Sequence, residues 1–214
     1  MESPLKYIYT GSAPQKEENK GLMILLHGYG SNEMDLHSFA DQLPSQYFVV
    51  SVQAPIALPW GGFAWFDIDF AGADKKYDFD QALHSRERIV DFINYMIVNY
   101  DIDAENIALL GFSQGAMLSQ AVALTEPRLI DKVVALSGFV FEDVIKPIQA
   151  STADIKTVDF FIGHGSVDDV VPVEYDRKSR LYLENLGVNL QYKEYPVAHG
   201  ITPEELEDVV SFLK

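Results

Sequence analysis

The chain has no cysteine among its 214 residues. This absence excludes a disulfide scaffold, a cysteine-ligated zinc or iron–sulfur site, and a thiol nucleophile. Basic residues are also few, since 16 Lys and Arg stand against 32 Asp and Glu and leave a formal net charge of −16. Nucleic-acid binding and polybasic membrane anchors both depend on Lys and Arg that meet phosphates. We therefore expect no nucleic-acid partner and no polybasic contact with a membrane.

Long apolar runs are missing too. No stretch approaches the roughly 20 apolar residues that cross a bilayer. The first residues, MESPLKYIYTGS, lack the positive start and apolar core of a signal peptide. The hydrophobic share of 48% is nevertheless ordinary for a globular chain, and the length fits one domain. These features predict a single cytoplasmic domain over residues 1–214, without stable membrane insertion.

From Leu22 onward, short apolar runs alternate with helical patterns. The runs predict strands over Leu22–Leu26, Phe48–Val52, Ile107–Leu110, Val133–Leu136, Val158–Ile162 and Leu190–Tyr195. The helical patterns cover Asp35–Leu43, Ile89–Tyr100, Ala116–Leu124, Val173–Leu186 and Glu204–Leu213. This alternation predicts an α/β fold whose mostly parallel central sheet is covered by helices on both faces. The earlier run Leu5–Thr10 is predicted to form a hairpin with the strand that follows it, across the polar residues 11–21.

The pentapeptide Gly111-Phe112-Ser113-Gln114-Gly115 lies between a predicted strand and a predicted helix. In that context G-x-S-x-G forms a sharp turn that holds the serine hydroxyl at the end of the strand. Small residues on either side of the serine let the strand and the helix pack closely. The alternative is a serine in an ordinary glycine-rich turn, and the flanking strand and helix disfavour it. Ser113 is therefore the predicted nucleophile.

A serine nucleophile needs a neighbouring base, and in this fold class the order along the chain is Ser, Asp or Glu, His. His199, in the loop before the last helix, is the histidine that follows both Ser113 and the candidate acids. His164 also follows a strand, but a structural hydrogen bond is the better interpretation of its setting between two glycines. Asp168 and Asp169 both follow the penultimate strand. Spacing leaves open which of them is the acid and which is a turn or cap residue.

Acyl transfer to a serine nucleophile passes through a tetrahedral intermediate, whose oxyanion needs hydrogen-bond donors. The backbone N–H of Gln114, directly after the nucleophile, is one predicted donor. The backbone N–H of Tyr29, in a loop flanked by Gly28 and Gly30, is the other. The chain contains no complete dinucleotide fingerprint, no phosphate-binding loop motif and no H-E-x-x-H spacing, so we expect no cofactor and no metal.

Residues 55–79 are rich in aromatic side chains but show no strand or helix period. Two interpretations stay open: a packed loop over one sheet edge, or a wall that binds the acyl or alcohol part of a substrate. In the second, Trp65 and Phe66 contact the substrate. The segment is too short for a separate lid domain, so we expect an open cleft over Ser113.

Six motifs in order resemble the carboxylesterase/phospholipase group of α/β-hydrolases, which includes acyl-protein thioesterases. They are LLHGYGSNEMDL (25–36), QAPIALPWGGFAWFDI (53–68), LLGFSQGAML (109–118), ALSGF (135–139), HGSVDDVVP (164–172) and YPVAHGI (195–201). The resemblance runs from about Met23 to the C-terminus and implies an α/β-hydrolase fold without a cofactor, often as a homodimer.

Carried over residue by residue, the resemblance implies that Ser113 is the nucleophile, His199 the general base and Asp168 the acid. Tyr29 and Gln114 match the family's oxyanion positions. The segment Trp65-Phe66-Asp67 matches one that lies near the active site.

These observations predict a serine carboxylesterase that cleaves short to medium acyl esters or thioesters, with a small-molecule or lipid ester as partner. A lysophospholipase or an acyl-protein thioesterase is the alternative within the class. A non-catalytic ligand receptor on the same fold is the alternative outside it. The negative charge favours neutral esters over anionic ones such as acyl-CoA, unless Lys75 and Lys76 gather at the cleft.

Overall fold

A computed structural model of the protein describes residues 2–15, 18–69, 76–145 and 150–214. Lys75 lies outside the described residues. The strands are β1 (Tyr7–Tyr9), β2 (Gly21–Leu26), β3 (Tyr47–Val52), β4 (Ile56–Ala57), β5 (Phe63–Ala64), β6 (Ile68–Asp69), β7 (Lys76–Tyr77), β8 (Ile107–Phe112), β9 (Lys132–Leu136), β10 (Asp159–Gly165) and β11 (Asn189–Tyr195). The helices are α1 (Met34–His37), α2 (Phe79–Asn99), α3 (Gln114–Thr125), α4 (Glu142–Ile145), α5 (Thr152–Ile155), α6 (Val173–Leu186) and α7 (Pro203–Leu213), with 3₁₀ turns at Ala40–Gln42 and Pro127–Leu129.

Within the described residues, seven strands form one sheet in the order β1-β3-β2-β8-β9-β10-β11. All neighbouring pairs are parallel except β1 with β3. Every residue of β2 is buried, as a strand with helices on both faces requires. The predicted α/β architecture with a mostly parallel sheet is confirmed.

The predicted hairpin between the first two strands is wrong. β1 pairs antiparallel with β3, with Tyr7 opposite Val52 and Tyr9 opposite Val50. β2 is flanked by β3 on one side and by β8 on the other. Both edges of β2 are occupied by parallel partners, so β1 cannot pair with β2 and joins the sheet at the outer edge of β3.

Two further segments differ from their sequence patterns. The helix predicted over Asp35–Leu43 is divided into α1 and a separate 3₁₀ turn. The aromatic segment that follows β3, which shows no regular period, contains short strands that pair as β4 with β5 and as β6 with β7. By contrast, α6 has the predicted bounds and ends at Gly187, whose φ of +75° provides the left-handed cap.

The hydrophobic core lies on both faces of the sheet. Leu22, Ile24 and Leu26 of β2 face one cluster, which α2 and α3 cover. Met23 and Leu25 of the same strand face the other cluster, which includes residues of α1 and α7. In a sheet of this kind, the loops after the parallel strands meet at the carboxyl edge. No helix in the described parts of the chain is both long enough and apolar enough to cross a membrane.

Candidate active site

Ser113 occupies a strained turn at the carboxyl end of β8. Its backbone has φ 54° and ψ −115°, outside the regions that L-residues prefer. The Ser113 N–H donates to the carbonyl of Leu136 at 2.9 Å, and its own carbonyl accepts from Met117 N at 3.0 Å. The tight turn is thus fixed to β9 on one side and to α3 on the other. Strain held in this way by surrounding structure is typical of functional sites.

Two glycines make the turn possible. A Cβ atom on Gly115 would lie 1.9 Å from the carbonyl oxygen of Leu26, and one on Gly111 would lie 2.3 Å from the backbone of Gly115. Both contacts are with backbone, which cannot move aside. The spacing of glycine, serine and glycine in the sequence is therefore the local requirement for bringing β8, α3 and β2 together around the nucleophile.

His199 and Asp168 form a hydrogen bond beside this turn. His199 Nδ1 lies 2.7 Å from Asp168 Oδ2. A carboxylate can only accept, so the proton is on Nδ1 and the neutral ring keeps Nε2 as its acceptor. The ring of Phe112, the residue before Ser113, lies 4.8 Å from the His199 ring, centroid to centroid. The imidazole is thereby packed against the nucleophile turn.

The structure separates the two adjacent aspartates. Asp168 is 7% exposed, and its Oδ1 accepts the backbone N–H groups of Val170 at 2.9 Å and Val171 at 2.8 Å. Asp169 is exposed. Asp168 is thus the carboxylate that bonds His199. Sequence spacing alone left open whether Asp168 or Asp169 takes this position.

The loop after β2 lies directly beside Ser113. A Cβ atom on Gly28 would lie 3.3 Å from the Cβ of Ser113, so the main chain of Gly28 and Tyr29 adjoins the nucleophile. Gly30 takes φ +77°, and its N–H donates to the carbonyl of Phe63 at 2.9 Å. The loop that carries Tyr29 and the first residue of α3, Gln114, therefore both adjoin Ser113, and the roles of Tyr29 and Gln114 as oxyanion donors stay predictions.

A buried histidine holds this loop. His27 Nδ1 donates to the carbonyl of Gly28 at 2.7 Å, and Nε2 accepts from Ala54 N at 3.0 Å. Burial lowers the pKa of His27, which keeps the ring neutral and able to make both bonds.

The Gln114 side chain has a role that sequence reasoning missed. Its Oε1 accepts from Trp65 N at 3.0 Å, and its Nε2 donates to Phe66 O at 2.6 Å. The indole Nε1 of Trp65 donates in turn to His27 O at 2.8 Å. These bonds join the nucleophile turn, the segment 63–69 and the loop after β2 into one unit. No periodic or motif signal in the sequence points to this pairing, because its members lie far apart along the chain.

Trp65 and Phe66 are both fully buried. The prediction that both side chains contact the substrate as part of a binding wall stays a prediction. Because both are buried, such contact would require neighbouring side chains to move. Close to them, the aromatic residues Tyr77, Phe79, Phe139, Phe141 and Tyr175 border a cavity of about 260 Å³. Phe139 follows Gly138, where a Cβ atom would lie 3.0 Å from Ser113 O. The residue before Phe139 thus adjoins the nucleophile turn, whereas Ser113 itself does not border the cavity.

Two other features bear on what the site can hold. In the parts of the chain that the structure covers, no three His, Asp or Glu side chains are grouped so as to bind a metal ion. The expectation that the site needs no metal rests on the sequence and stays a prediction. Within residues 2–15, 18–69, 76–145 and 150–214, no large lid domain interrupts the fold.

Comparisons with known proteins agree with this geometry. A sequence profile of the phospholipase/carboxylesterase family matches residues 12–214. Acyl-protein thioesterase 1 of Candida albicans is 32% identical over 213 residues, covering 91% of each chain. Acyl-protein thioesterase 1 of Saccharomyces cerevisiae is 37% identical over 155 residues, covering 71% of this chain and 67% of its own.

A solved structure shows the same fold. The Bacillus cereus carboxylesterase matches with a TM-score of 0.82 at 21% identity, covering 98% of this chain and 93% of that one. The predicted α/β-hydrolase fold and the predicted class of enzyme, an ester hydrolase, are both confirmed. The family match extends over nearly the whole chain, so the protein belongs to the phospholipase/carboxylesterase family.

Proposed function

We propose that Ser113, His199 and Asp168 form the catalytic triad of a serine hydrolase that cleaves carboxylic esters or thioesters through an acyl-enzyme. The observation that carries the proposal is the 2.7 Å bond between His199 and a buried Asp168, beside a serine held at φ 54°. A histidine oriented by a carboxylate beside a strained serine is the arrangement that activates a hydroxyl nucleophile.

The reaction follows from the proton positions. His199 Nε2 takes the Ser113 hydroxyl proton as the oxygen attacks the substrate carbonyl carbon. The resulting imidazolium keeps its Nδ1–H on Asp168, which stays an anion throughout. His199 then delivers the proton to the leaving alkoxide or thiolate, and the acyl group remains on Ser113. Water then attacks the acyl-enzyme, with His199 again as the base. The proton returns from His199 to the Ser113 oxygen, and the carboxylic acid is released.

The negative charge of the tetrahedral intermediate falls on the former carbonyl oxygen. In the proposed mechanism, the backbone N–H groups of Gln114 and Tyr29 donate to it. Gln114 is the first residue of α3, where a backbone N–H has no partner within the helix. Loss of one such donor costs on the order of 10²–10³ in rate.

The proposed substrates are neutral esters or thioesters with short to medium acyl chains. The cavity of about 260 Å³ that Phe139 borders is a candidate place for an apolar group of limited size. The net charge of −16 would slow the approach of anionic esters. Lys76, one of the two lysines that could offset this charge if they lay at the cleft, is exposed on β7.

Acyl-protein thioesterase activity is the second candidate, because relatives at 32% and 37% identity bear that name.

Replacement of the nucleophile tests the proposal. Ser113→Ala should abolish hydrolysis of p-nitrophenyl butyrate while leaving the circular dichroism spectrum and thermal midpoint close to wild type. A fluorophosphonate probe should label the wild-type chain at Ser113 and leave the variant unlabelled. Retained turnover in the variant would exclude the mechanism, and an unlabelled wild-type chain without turnover would favour the ligand-receptor alternative.

A substrate panel then separates the activities. It should contain short neutral esters, a lysophospholipid, a palmitoylated peptide and an acyl-CoA, all measured at low ionic strength. The proposal expects the highest kcat/KM for neutral esters or thioesters and a lower value for acyl-CoA. Homodimer formation and a cytoplasmic location stay predictions, and analytical ultracentrifugation tests the first.

A further inference from the structure

A second histidine–aspartate pair lies buried behind the proposed triad. His164, near the end of β10, and Asp176, in the first turn of α6, have no exposed surface. His164 Nδ1 lies 2.9 Å from Asp176 Oδ2, and Nε2 lies 2.8 Å from the carbonyl oxygen of Val171. A carbonyl can only accept, so Nε2 carries a proton. One further proton is then held between Nδ1 and Asp176.

This buried pair is connected to Asp168 in two ways. His164 Nε2 lies 3.4 Å from Asp168 Oδ2, the same oxygen that bonds His199. Val171 accepts from His164 through its carbonyl and donates its N–H to Asp168 Oδ1 at 2.8 Å. A charge on His164 would therefore act on Asp168 at close range. The His164 ring also holds Val171, whose N–H in turn holds the Asp168 carboxylate.

The surroundings of His164 favour its charged form. Burial by itself lowers the pKa of His164, but the hydrogen bond and charge of Asp176, the Val171 carbonyl and the charge of Asp168 together raise it above the usual value. Burial raises the pKa of Asp176 to about 6. Between that pH and the raised pKa of His164, the two side chains form an ion pair whose positive end faces Asp168.

The other titratable groups around His164 are acidic or engaged elsewhere. Glu194 of β11 is paired with Arg177 at 2.7 Å. Burial raises the pKa of Glu205, on α7, to about 7, so this side chain is largely neutral below that pH. His199 Nδ1 bonds the same Asp168 Oδ2 at 2.7 Å. Apart from His199 itself, none of these groups supplies a second cation beside that oxygen, among the residues that the structure describes.

We infer that His164 and Asp176 are positioning residues for the triad: the imidazolium of His164 holds Asp168 as an anion and keeps His199 in its unprotonated, reactive form to lower pH. The inference rests on the proposed roles of Asp168 and His199. A cation at 3.4 Å stabilises the Asp168 charge and disfavours a second cation on the other side of the same oxygen. Asp176 is farther from Asp168, so its negative charge cancels only part of this effect.

The decisive variant is Asp176→Asn. An amide at this position can donate Nδ2–H to a neutral His164 Nδ1, which keeps the hydrogen bond and removes the ion pair. The titration of each histidine ring is then followed by NMR in the variant and in the wild type. We expect the midpoint of His199 to move to higher pH by about half a unit or more in the variant. At pH 6.5, the usual midpoint of a histidine, the His164 ring should change from mostly doubly protonated in the wild type to mostly singly protonated in the variant.

A kinetic measurement supplies an independent readout. The acid limb of kcat/KM for a neutral ester should move to higher pH together with the His199 midpoint. Asp169→Asn is the matched control, since it removes an exposed charge one residue from Asp168. It should leave both the His199 midpoint and the acid limb in place. If Asp176→Asn does not fold, His164→Gln removes the cation while keeping a donor for Val171, and the same shift is expected.

An unchanged or lowered His199 midpoint in a folded variant would overturn the inference, as would a mostly singly protonated His164 in the wild type at pH 6.5. Failure of the proposed function is a separate result. In that case hydrolysis would persist in Ser113→Ala or be absent from the wild type, whereas the NMR titration of His199 would still give its answer.

Discussion

Asp168 and Asp169 are neighbours in the chain but lie in different surroundings. Asp168 is buried, accepts two backbone N–H groups and bonds His199. Asp169 is exposed. The backbone donors hold Asp168 in one orientation, and its bond to His199 places the proton of that hydrogen bond on Nδ1.

This difference gives a prediction at the scale of single residues. Asp168→Asn should lower kcat by roughly 10³–10⁴-fold, because an amide can donate to Nδ1 and leave the proton on the wrong ring nitrogen. Asp169→Asn should stay within a few-fold of wild type. Steady-state kinetics with p-nitrophenyl butyrate measures both. A crippled Asp169→Asn beside a fully active Asp168→Asn would assign the acid to the other residue.

At the scale of elements, the segment 63–69 joins the two sides of the site. Its backbone is held by the Gln114 side chain at the start of α3, and its Trp65 indole donates to His27 in the loop after β2. Ser85 of α2 donates to the Trp65 carbonyl. The segment therefore sets how the two proposed oxyanion donors face each other.

Trp65→Phe tests this connection. The smaller ring lacks the N–H and leaves the buried carbonyl of His27 without its indole donor, at a cost of about 1–3 kcal/mol in the free energy of unfolding. We expect kcat to fall by about tenfold with little change in KM, because the oxyanion donors lose alignment rather than contact with bound substrate. Trp60→Phe is the control, since Trp60 is 72% exposed. Equal effects of the two substitutions on kcat would contradict the prediction.

The elements also show where sequence patterns suffice. The nucleophile turn could be predicted because its requirements are local: a strand, a glycine before and after the serine, and a helix. The same holds for α6, which ends at Gly187. The pairing of β1 with β3 could not be predicted in this way. It joins Tyr7 and Val52, which lie far apart in the chain, and it depends on which strands flank β2.

At the scale of the whole molecule, three strand ends create the site. Ser113 follows β8, Asp168 follows β10 and His199 follows β11. β8 and β10 are separated only by β9, and β11 lies at the edge beside β10. Because these strands are parallel, their carboxyl ends point the same way, and residues up to 86 positions apart in the chain meet at one edge.

Folding of the whole domain should depend on pH through Glu205. This side chain is fully buried on α7, and burial raises its pKa to about 7 from a usual value of 4.5. Between these two pH values the folded state keeps a proton that the unfolded chain releases, so stability falls as pH rises through this window. At pH 8 the buried charge costs at most about 3 kcal/mol.

Glu205→Gln removes this dependence. The gain in free energy of unfolding over wild type should be larger at pH 8 than at pH 5, as measured by urea denaturation at both values. Glu204→Gln, at the exposed position one residue earlier, corrects for the change in net charge. A gain that is the same at both pH values would show that Glu205 titrates alike in the folded and unfolded states.

The alternation of strands and helices, the sharp serine turn, and the candidates for base and acid could be predicted from the sequence alone, because each depends on neighbours within a few residues. The tertiary structure decided that Asp168 rather than Asp169 meets His199 and that β1 joins β3. It also decided that Gln114 holds Trp65 and that His164 and Asp176 lie behind the triad. These contacts join segments far apart in the chain, and they form only where the packed sheet brings those segments to one edge.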